Sequence, residues 1–289
     1  MEFMKEYLAY RGTLEMLRFS SLGYLGIALL MLVIGKFIND LVTPYRLDEE
    51  LADRDNKALA ISYTGYLVAQ GIIIVGVLLS PGGNFVRDMI MTAVWCFVGI
   101  ILLNLARFLN DKLLLGRFDN VKEIIKDRNA GTGAVQAGAY LGVAFIIKAI
   151  VQGESEGLVP DIVGTVIFFI VSQLLFLVFG MVYQKATRYD IHKEIENDNV
   201  AAGVAFGLSL AAIGLIISHS IEQTSSLASL LVWFVNGLAL ILLSRFLVDR
   251  LILPGHRLDD EIEKDRNWGV ALIEGGSALM IAFIINASF

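Results

Sequence analysis

Eight long apolar runs divide this sequence, and they constrain its fold more than any other feature. Each run has roughly 17–22 residues, the length that an α-helix needs to cross a hydrocarbon core of about 30 Å. Inside a bilayer only helices and closed barrels satisfy every backbone N–H and C=O, and the alternating pattern of barrel strands is missing from the sequence. With 56% hydrophobic and 18% charged residues, the chain is predicted to be an all-α membrane protein. The predicted transmembrane helices are 22–42, 58–79, 89–110, 133–151, 162–183, 200–218, 227–248 and 269–286.

Lysine and arginine are distributed unevenly between the two sides of these spans. The linkers after odd-numbered spans are long and charged, and they hold fifteen basic residues: Arg46, Arg54, Lys57, Lys112, Arg117, Lys122, Lys126, Arg128, Lys185, Arg188, Lys193, Arg250, Arg257, Lys264 and Arg266. The other side holds four: Lys5, Arg11, Arg18 and Arg87. Basic residues concentrate on the cytoplasmic side, so we expect the long linkers to be cytoplasmic and both termini to lie outside. Residues 1–21 would then form an external amphipathic segment on the membrane surface.

The second half of the chain repeats the first. Residues 95–147 align with 233–285 without gaps, at a constant offset of 138 and with 23 identities in 53 positions. Shared hydrophobicity alone does not give charged identities such as Arg107/Arg245 and Glu123/Glu261. The sequence therefore predicts a tandem duplication, with one four-helix repeat over 22–151 and a second over 162–289.

Each half contains a weaker duplication of one helical hairpin. Three odd-numbered spans end in a basic residue, Phe, an aliphatic residue, any residue and Asp, and the third hairpin lacks this motif. The basic and acidic members are Lys36 and Asp40, Arg107 and Asp111, and Arg245 and Asp249. Because each unit has two spans, every hairpin starts on the same side of the membrane, and we expect four parallel hairpin repeats.

An asparagine precedes every even-numbered span. Asn is among the best N-caps, because its side-chain oxygen accepts from the unpaired N–H groups of the first helical turn. The simplest interpretation is therefore structural, and a functional role would require the four amides to converge, as in a ring. These linker residues are Asn56, Asn129, Asn199 and Asn267.

The charged pairs of the repeated motif are spaced i, i+4. One interpretation is an interfacial ion pair, with the basic side chain extended toward the lipid headgroups. The other is a ring of paired charges at a pore mouth or substrate entrance, which the cost of charges near a membrane favours.

Small residues mark the even-numbered spans, whereas the odd-numbered spans are bulkier. Small side chains let helix backbones approach closely, so we expect the even spans to be packed inside and the odd spans to face lipid. The glycines concerned are Gly131, Gly133, Gly138, Gly142, Gly203, Gly207, Gly269, Gly275 and Gly276.

Glu274 is the most informative single position. It lies seven residues after Asn267, roughly 10 Å into the eighth span, and Gln136 is its repeat partner. An acid inside a membrane predicts a functional polar site, and the alternative is a hydrogen-bonded packing residue.

The sequence gives no support for catalysis or for a bound metal or cofactor. The single cysteine, Cys96, lies within an apolar run, which excludes an intrachain disulfide and a cysteine-based metal cluster. His219 and Glu222 alone do not make a metal site, and the sequence carries no recognisable catalytic motif. A basic patch with interleaved aromatic residues, which would indicate nucleic acid as a partner, is also missing.

In these features the sequence resembles the bacterial YjfL-type inner-membrane proteins, a domain-of-unknown-function family with one or more copies of a two-span unit. The resemblance covers nearly all of the chain after residue 21. It rests on the repeated hairpin, the base-Phe-Leu-x-Asp ends and the Lys-Asp-Arg-Asn linkers within 107–129 and 245–267. It implies a location in the bacterial inner membrane and brings no established activity. The similar genomic setting of family members implies a cytoplasmic partner of the envelope-stress type.

Two functions fit this sequence. The first is passage of an ion or small solute through the repeats, using Glu274, Gln136 and the motif charges. The second is a non-conducting scaffold in an envelope-stress system, whose charged linkers recruit cytoplasmic partners. In both cases we expect the protein to lie in the lipid bilayer as a homo-oligomer or membrane complex.

Overall fold

A computed structural model describes residues 19–80, 85–153 and 155–288 of the chain, with side chains from Leu22 onward. The predicted external segment 1–21 therefore lies outside the described residues, except that the first long helix begins at Phe19. The helices are α1 Phe19–Val42, α2 Lys57–Leu78, α3 Phe85–Leu109, α4 Asn120–Ile125, α5 Ala130–Val151, α6 Leu158–Ala186, α7 Ile191–Glu196, α8 Val200–Thr224, α9 Leu227–Leu247, α10 Leu258–Glu263 and α11 Trp268–Ser288. Three short π-helical segments accompany them: Glu49–Asp53, Asn110–Leu114 and Val248–Ile252.

The part of the chain that the structure describes contains eight helices long and apolar enough to cross a membrane. This confirms the all-α fold with eight predicted spans. The odd-numbered spans are α1, α3, α6 and α9, and the even-numbered spans are α2, α5, α8 and α11. Two spans separate each long linker from the next, so all four long linkers lie on one side of the bundle, here termed the linker side. The short helices α4, α7 and α10 belong to three of these linkers.

The eight spans form two layers. The even spans pack side by side in the order α2, α5, α8, α11, and we call this layer the inner row. The odd spans form the second layer, in which α3 lies against α2 and α5, α6 against α5 and α8, and α9 against α8 and α11. Each hairpin thus adds one helix to each layer.

The inner row is held together by close backbone contact at small residues. In the central pair, a Cβ atom added to Gly138 would lie 2.0 Å from the Gly207 carbonyl oxygen, and one added to Gly214 would lie 2.3 Å from Gly142. Burial follows the layers, because 83% of the apolar window of α8 is buried, against 17% in α1. The prediction that even spans pack inside is confirmed most clearly for α5 and α8, whose windows are 67% and 83% buried. The windows of α2 and α11 are less buried, at 50% and 39%, because these helices end the row.

Four described residues on the linker side that are not glycine adopt a left-handed backbone conformation. Each precedes the asparagine at the start of an even span: Asp55 (φ 48°), Arg128 (φ 53°), Asp198 (φ 55°) and Arg266 (φ 48°). Residues with a side chain rarely adopt this conformation unless the surrounding structure fixes it. The same sharp turn therefore joins linker to span in all four units, and the asparagine contacts described below hold it in place.

Candidate functional site: a linker relay and two buried polar clusters

The four asparagines occupy equivalent helix-cap positions. Each side-chain oxygen accepts from the backbone N–H three residues further on, at 2.9–3.2 Å. The same side chain donates through Nδ2 to a glutamate of its own linker. These pairs are Asn56–Glu50 at 3.2 Å, Asn129–Glu123 at 2.9 Å, Asn199–Glu194 at 2.9 Å and Asn267–Glu261 at 3.0 Å.

A third contact of these asparagines joins one unit to the next. Three of them also donate to the backbone carbonyl of the residue that follows the glutamate in the next linker. These bonds are Asn56 to Ile124 at 2.9 Å, Asn129 to Ile195 at 2.6 Å and Asn199 to Ile262 at 2.8 Å. We call this series the asparagine relay. The four amides form a line along the inner row, so the arrangement differs from the ring that the sequence left open as a functional alternative.

The first half of the chain holds a buried polar cluster around Arg107 and Gln136. Arg107 donates to Asn39 at 2.7 Å and to the Tyr45 hydroxyl at 3.4 Å, while Asp111 lies 3.8 Å away. Burial raises the pKa of the Tyr45 phenol, although nearby Arg107 opposes this, so Tyr45 acts as a neutral hydrogen-bond partner. Arg107 is therefore held by neutral groups more closely than by its own motif acid.

Gln136 bridges two helices of this cluster. Its amide donates to Asp111 at 3.2 Å, and its oxygen accepts from the Ser62 hydroxyl at 2.7 Å. Gln136 thereby ties α5 both to α2 and to the linker-side end of α3.

The second half replaces this amide with an ion pair. Glu274 is 2% exposed, accepts from the Tyr183 hydroxyl at 2.6 Å and pairs with Arg245. Arg245 pairs in addition with Asp259 of α10, and Asp259 lies 3.8 Å from the exposed Arg188. A continuous series of charged groups thus runs from the linker side to a buried carboxylate, whose Oε2 atom has no partner among the described residues.

The motif ion pairs are formed unequally. Lys36 and Asp40 are 2.6 Å apart, as the i, i+4 spacing predicts. The predicted pairing of Arg245 with Asp249 is wrong, because Asp249 instead accepts from the Leu258 backbone at 2.8 Å, while Arg245 turns inward to Glu274. The first half has an equivalent π-helical segment, Asn110–Leu114, and still keeps Arg107 within 3.8 Å of Asp111. The difference therefore follows from Glu274, which offers Arg245 a carboxylate where Gln136 offers Arg107 a neutral amide.

Sequence reasoning did not identify several partners of these clusters. Tyr183 lies in the one hairpin unit that lacks the repeated motif, so the repeat gave no signal for it. Asn39 lies within a motif copy, at the position described as any residue, and its burial at 3% exposure shows that the position is not free. Asp259 lies in the stretch 257–260, which shares no identity with the equivalent residues 119–122 of the first half, so the repeat gave no signal for it.

Two surface grooves lie within the described ranges. One is apolar and open, between α2 and α5, with Thr64 and Ala137 among its walls. The other is polar, beneath the end of α1, and is lined in part by Tyr45 and Glu50. Neither includes Glu274 or Gln136. Among residues 19–80, 85–153 and 155–288, no group of three or more His, Cys, Asp or Glu side chains is placed to hold a metal ion.

These features define a polytopic helical membrane protein in which a two-span unit occurs four times through tandem duplication. The chain belongs to the family described as Domain of Unknown Function (DUF350), which matches residues 13–151 and 157–289. One match covers each half of the chain, in agreement with the duplication. The predicted membership of a domain-of-unknown-function family of membrane proteins is confirmed at this level.

Two curated proteins are similar to this chain. The UPF0719 transmembrane protein YshE of Bacillus subtilis (strain 168) is 29% identical over 127 residues, which are 44% of this chain and 93% of YshE. A UPF0719 transmembrane protein of Aquifex aeolicus (strain VF5) is 26% identical over 190 residues, 64% of this chain and 69% of that protein. No solved structure matches the chain significantly.

Proposed function

We propose that this protein is a non-catalytic membrane scaffold that presents its linkers as one fixed, charged surface to a cytoplasmic partner. We call this surface the linker ledge; it comprises residues 43–56, 115–129, 187–199 and 253–267. The asparagine relay is the observation that carries the proposal. These bonds join each linker to its neighbour and so fix the positions of the linkers relative to one another. A partner that contacts several linkers at once requires such fixed positions.

Ion pairs between linkers support the same function. Arg117 of the second linker lies 3.0 Å from Asp190 of the third, and Arg188 of the third lies 3.8 Å from Asp259 of the fourth. Single exposed pairs contribute at most about 1 kcal/mol each, so the buried relay sets the geometry and these pairs add to it. Other charged side chains of the ledge are exposed and available to a partner, among them Arg46, Lys122 and Lys264.

The orientation and the family resemblance indicate where this partner is. Fifteen basic residues on the linker side against four on the other favour a cytoplasmic ledge in the bacterial inner membrane. The resemblance to YjfL-type proteins favours a partner of the envelope-stress type. The glycine contacts of α5 with α8 support a non-conducting protein, because they bring the helix backbones together at the centre of the inner row.

A second candidate function is passage of a proton or cation, and one specific observation favours it. The series Arg188, Asp259, Arg245 and Glu274 leads from the linker side into the membrane and ends on a carboxylate oxygen with no described partner. Such a series is costly within a membrane, and transport is one of the functions that maintains it.

Ion flux into liposomes separates the two candidates. With purified full-length protein and fluorescent reporters of H⁺, Na⁺ and K⁺, the scaffold proposal predicts flux no higher than in protein-free liposomes. Passage instead predicts flux that Glu274→Gln abolishes while the protein stays folded, and that the control Asp260→Asn leaves unchanged. Asp260 is a suitable control because it neighbours Asp259 but pairs with exposed Lys264 at 2.8 Å. Wild-type flux with this sensitivity would overturn the scaffold.

A further inference from the structure

The inner row ends at α2 and at α11. Each of these two helices exposes a face of the kind by which the helices of the row pack on each other. Counted from the cap asparagine, the ninth residue of each even span packs on the eighth residue of the next. A Cβ atom added to the first-named glycine of the first two pairs, or to Gly275 in the third, would lie 2.0–2.4 Å from its neighbour. The three pairs are Gly65 with Ala137, Gly138 with Gly207, and Leu208 with Gly275.

At the ends of the row the same positions are exposed within the described part of the chain. On α11 the ninth residue is Gly276, and a Cβ atom added there would meet nothing within 4 Å among residues 19–80, 85–153 and 155–288. On α2 the eighth residue is Thr64, which is exposed. The two free faces are therefore the two complementary halves of an interface that the chain already forms three times.

The next contact along these faces has complementary shape. Within the chain, the thirteenth residue of α5, Gly142, packs against the fifteenth of α8, Gly214. At the ends of the row the equivalent residues are Met280, which is 55% exposed, and Gly71, which has open space around it within the described chain. A protruding methionine thus corresponds to a glycine that leaves room for it.

The asparagine relay is open at the same two ends. Asn267 donates to its own Glu261 and, among the described residues, to no backbone carbonyl of another linker. The carbonyl equivalent to Ile124, Ile195 and Ile262 is that of Leu51, which accepts from no asparagine side chain in the described part of the chain. A donor at one end therefore matches an acceptor at the other.

A further polar contact between the two halves has its counterpart at the ends. Asp198 accepts from the backbone N–H of Ala130 at 3.1 Å, across the interface of α5 with α8. The equivalent acid in the first unit is Asp55, and the equivalent N–H in the last unit is that of Trp268. The second and fourth units carry Arg128 and Arg266 in place of this acid. A bond from the Trp268 N–H of one copy to Asp55 of another would therefore repeat the contact that joins the two halves of the chain.

We propose that copies of this chain associate head to tail, with α11 of one copy packed on α2 of the next. The occupant of each free face is thus a second copy, because the face continues an interface that already joins the two halves. A head-to-tail contact of this kind closes into a ring or continues as a linear assembly. The inference does not depend on whether the protein is a scaffold or conducts ions.

Disulfide cross-linking between two tagged copies tests this contact. In a Cys96→Ser background, full-length proteins carrying Thr64→Cys or Gly276→Cys with different affinity tags are co-expressed and oxidised in membranes. We expect a mixed dimer at least about tenfold more abundant than from the control pair Ile170→Cys with Gly276→Cys. Ile170 is a suitable control because it is 52% exposed on α6, away from the inner row.

A mass measurement provides the second arm. In detergent or nanodiscs, wild type should have a multiple of the monomer mass, whereas Gly276→Leu should be a folded monomer. The matched control Gly164→Leu, also in open space within the described chain, should keep the wild-type mass. A monomeric wild type together with no mixed dimer above control would overturn the proposal, as would occupation of either face by residues 1–18 of the same copy.

Discussion

Arg245→Leu is expected to lower the free energy of unfolding by about 3–5 kcal/mol, because it leaves the Glu274 carboxylate buried without its counter-charge. Glu274 is 2% exposed, and Tyr183 is then its closest remaining partner. The measurement is thermal or denaturant unfolding of the purified protein in detergent. The control Arg250→Leu, which removes a base that is 69% exposed, should change stability by less than about 1 kcal/mol.

The second variant of this test removes the charge as well as its partner. Glu274→Gln in the Arg245→Leu background should recover a large part of the lost stability, because a neutral amide can still accept from Tyr183. The first half of the chain shows the precedent, since Gln136 occupies the equivalent position. If the double variant is as unstable as Arg245→Leu alone, the pair is not electrostatically coupled and this description of the cluster is incorrect.

Gly138→Ala is expected to destabilise the protein by about 2 kcal/mol, through overpacking at the centre of the inner row. The new Cβ atom would lie 2.0 Å from the Gly207 carbonyl oxygen, so the two helices must separate. The matched control Gly164→Ala introduces the same methyl group where no described atom lies within 4 Å. It should be neutral or should stabilise the helix by up to about 1 kcal/mol, since alanine favours helix more than glycine.

The same unfolding assay measures both glycine variants. Equal stability of Gly138→Ala and Gly164→Ala would mean that α5 and α8 do not approach as closely as described. The glycines at this interface would then be replaceable. The α5–α8 contact would also no longer be a pattern for the contact between α11 of one copy and α2 of the next.

The sequence was sufficient to predict the spans, the repeats and the layers. Span length follows from bilayer thickness, and the charged identities between the halves reveal the duplication. The inner position of α5 and α8 follows from Gly138, Gly207 and their neighbours, because only small side chains allow close helix packing. The cap positions of the asparagines likewise follow from one residue type at one place in each unit.

The relay and the ion pairs could not be predicted in the same way. The acceptors in the relay are backbone carbonyls, such as that of Ile195, and a side-chain pattern does not mark them. Arg245 and Asp249 have the spacing of a helical ion pair, but Arg245 pairs with Glu274 and Asp259, which lie on other helices and which spacing along one helix does not reveal. Tyr183 comes from the one unit in which the motif is missing, so the comparison of repeats did not reveal it.

The side of the membrane on which the linker ledge lies tests the proposed function most directly. In a Cys96→Ser background, single substitutions Ser155→Cys, Ser225→Cys and Asn197→Cys are treated with a membrane-impermeant thiol reagent in whole cells. Asn197 lies on the ledge, whereas Ser155 and Ser225 lie in connections on the opposite side. A cytoplasmic ledge predicts that Ser155→Cys and Ser225→Cys react, and that Asn197→Cys reacts only after the membrane is opened. Labelling of Asn197→Cys in intact cells, with protection of the other two, would contradict a scaffold that serves a cytoplasmic partner.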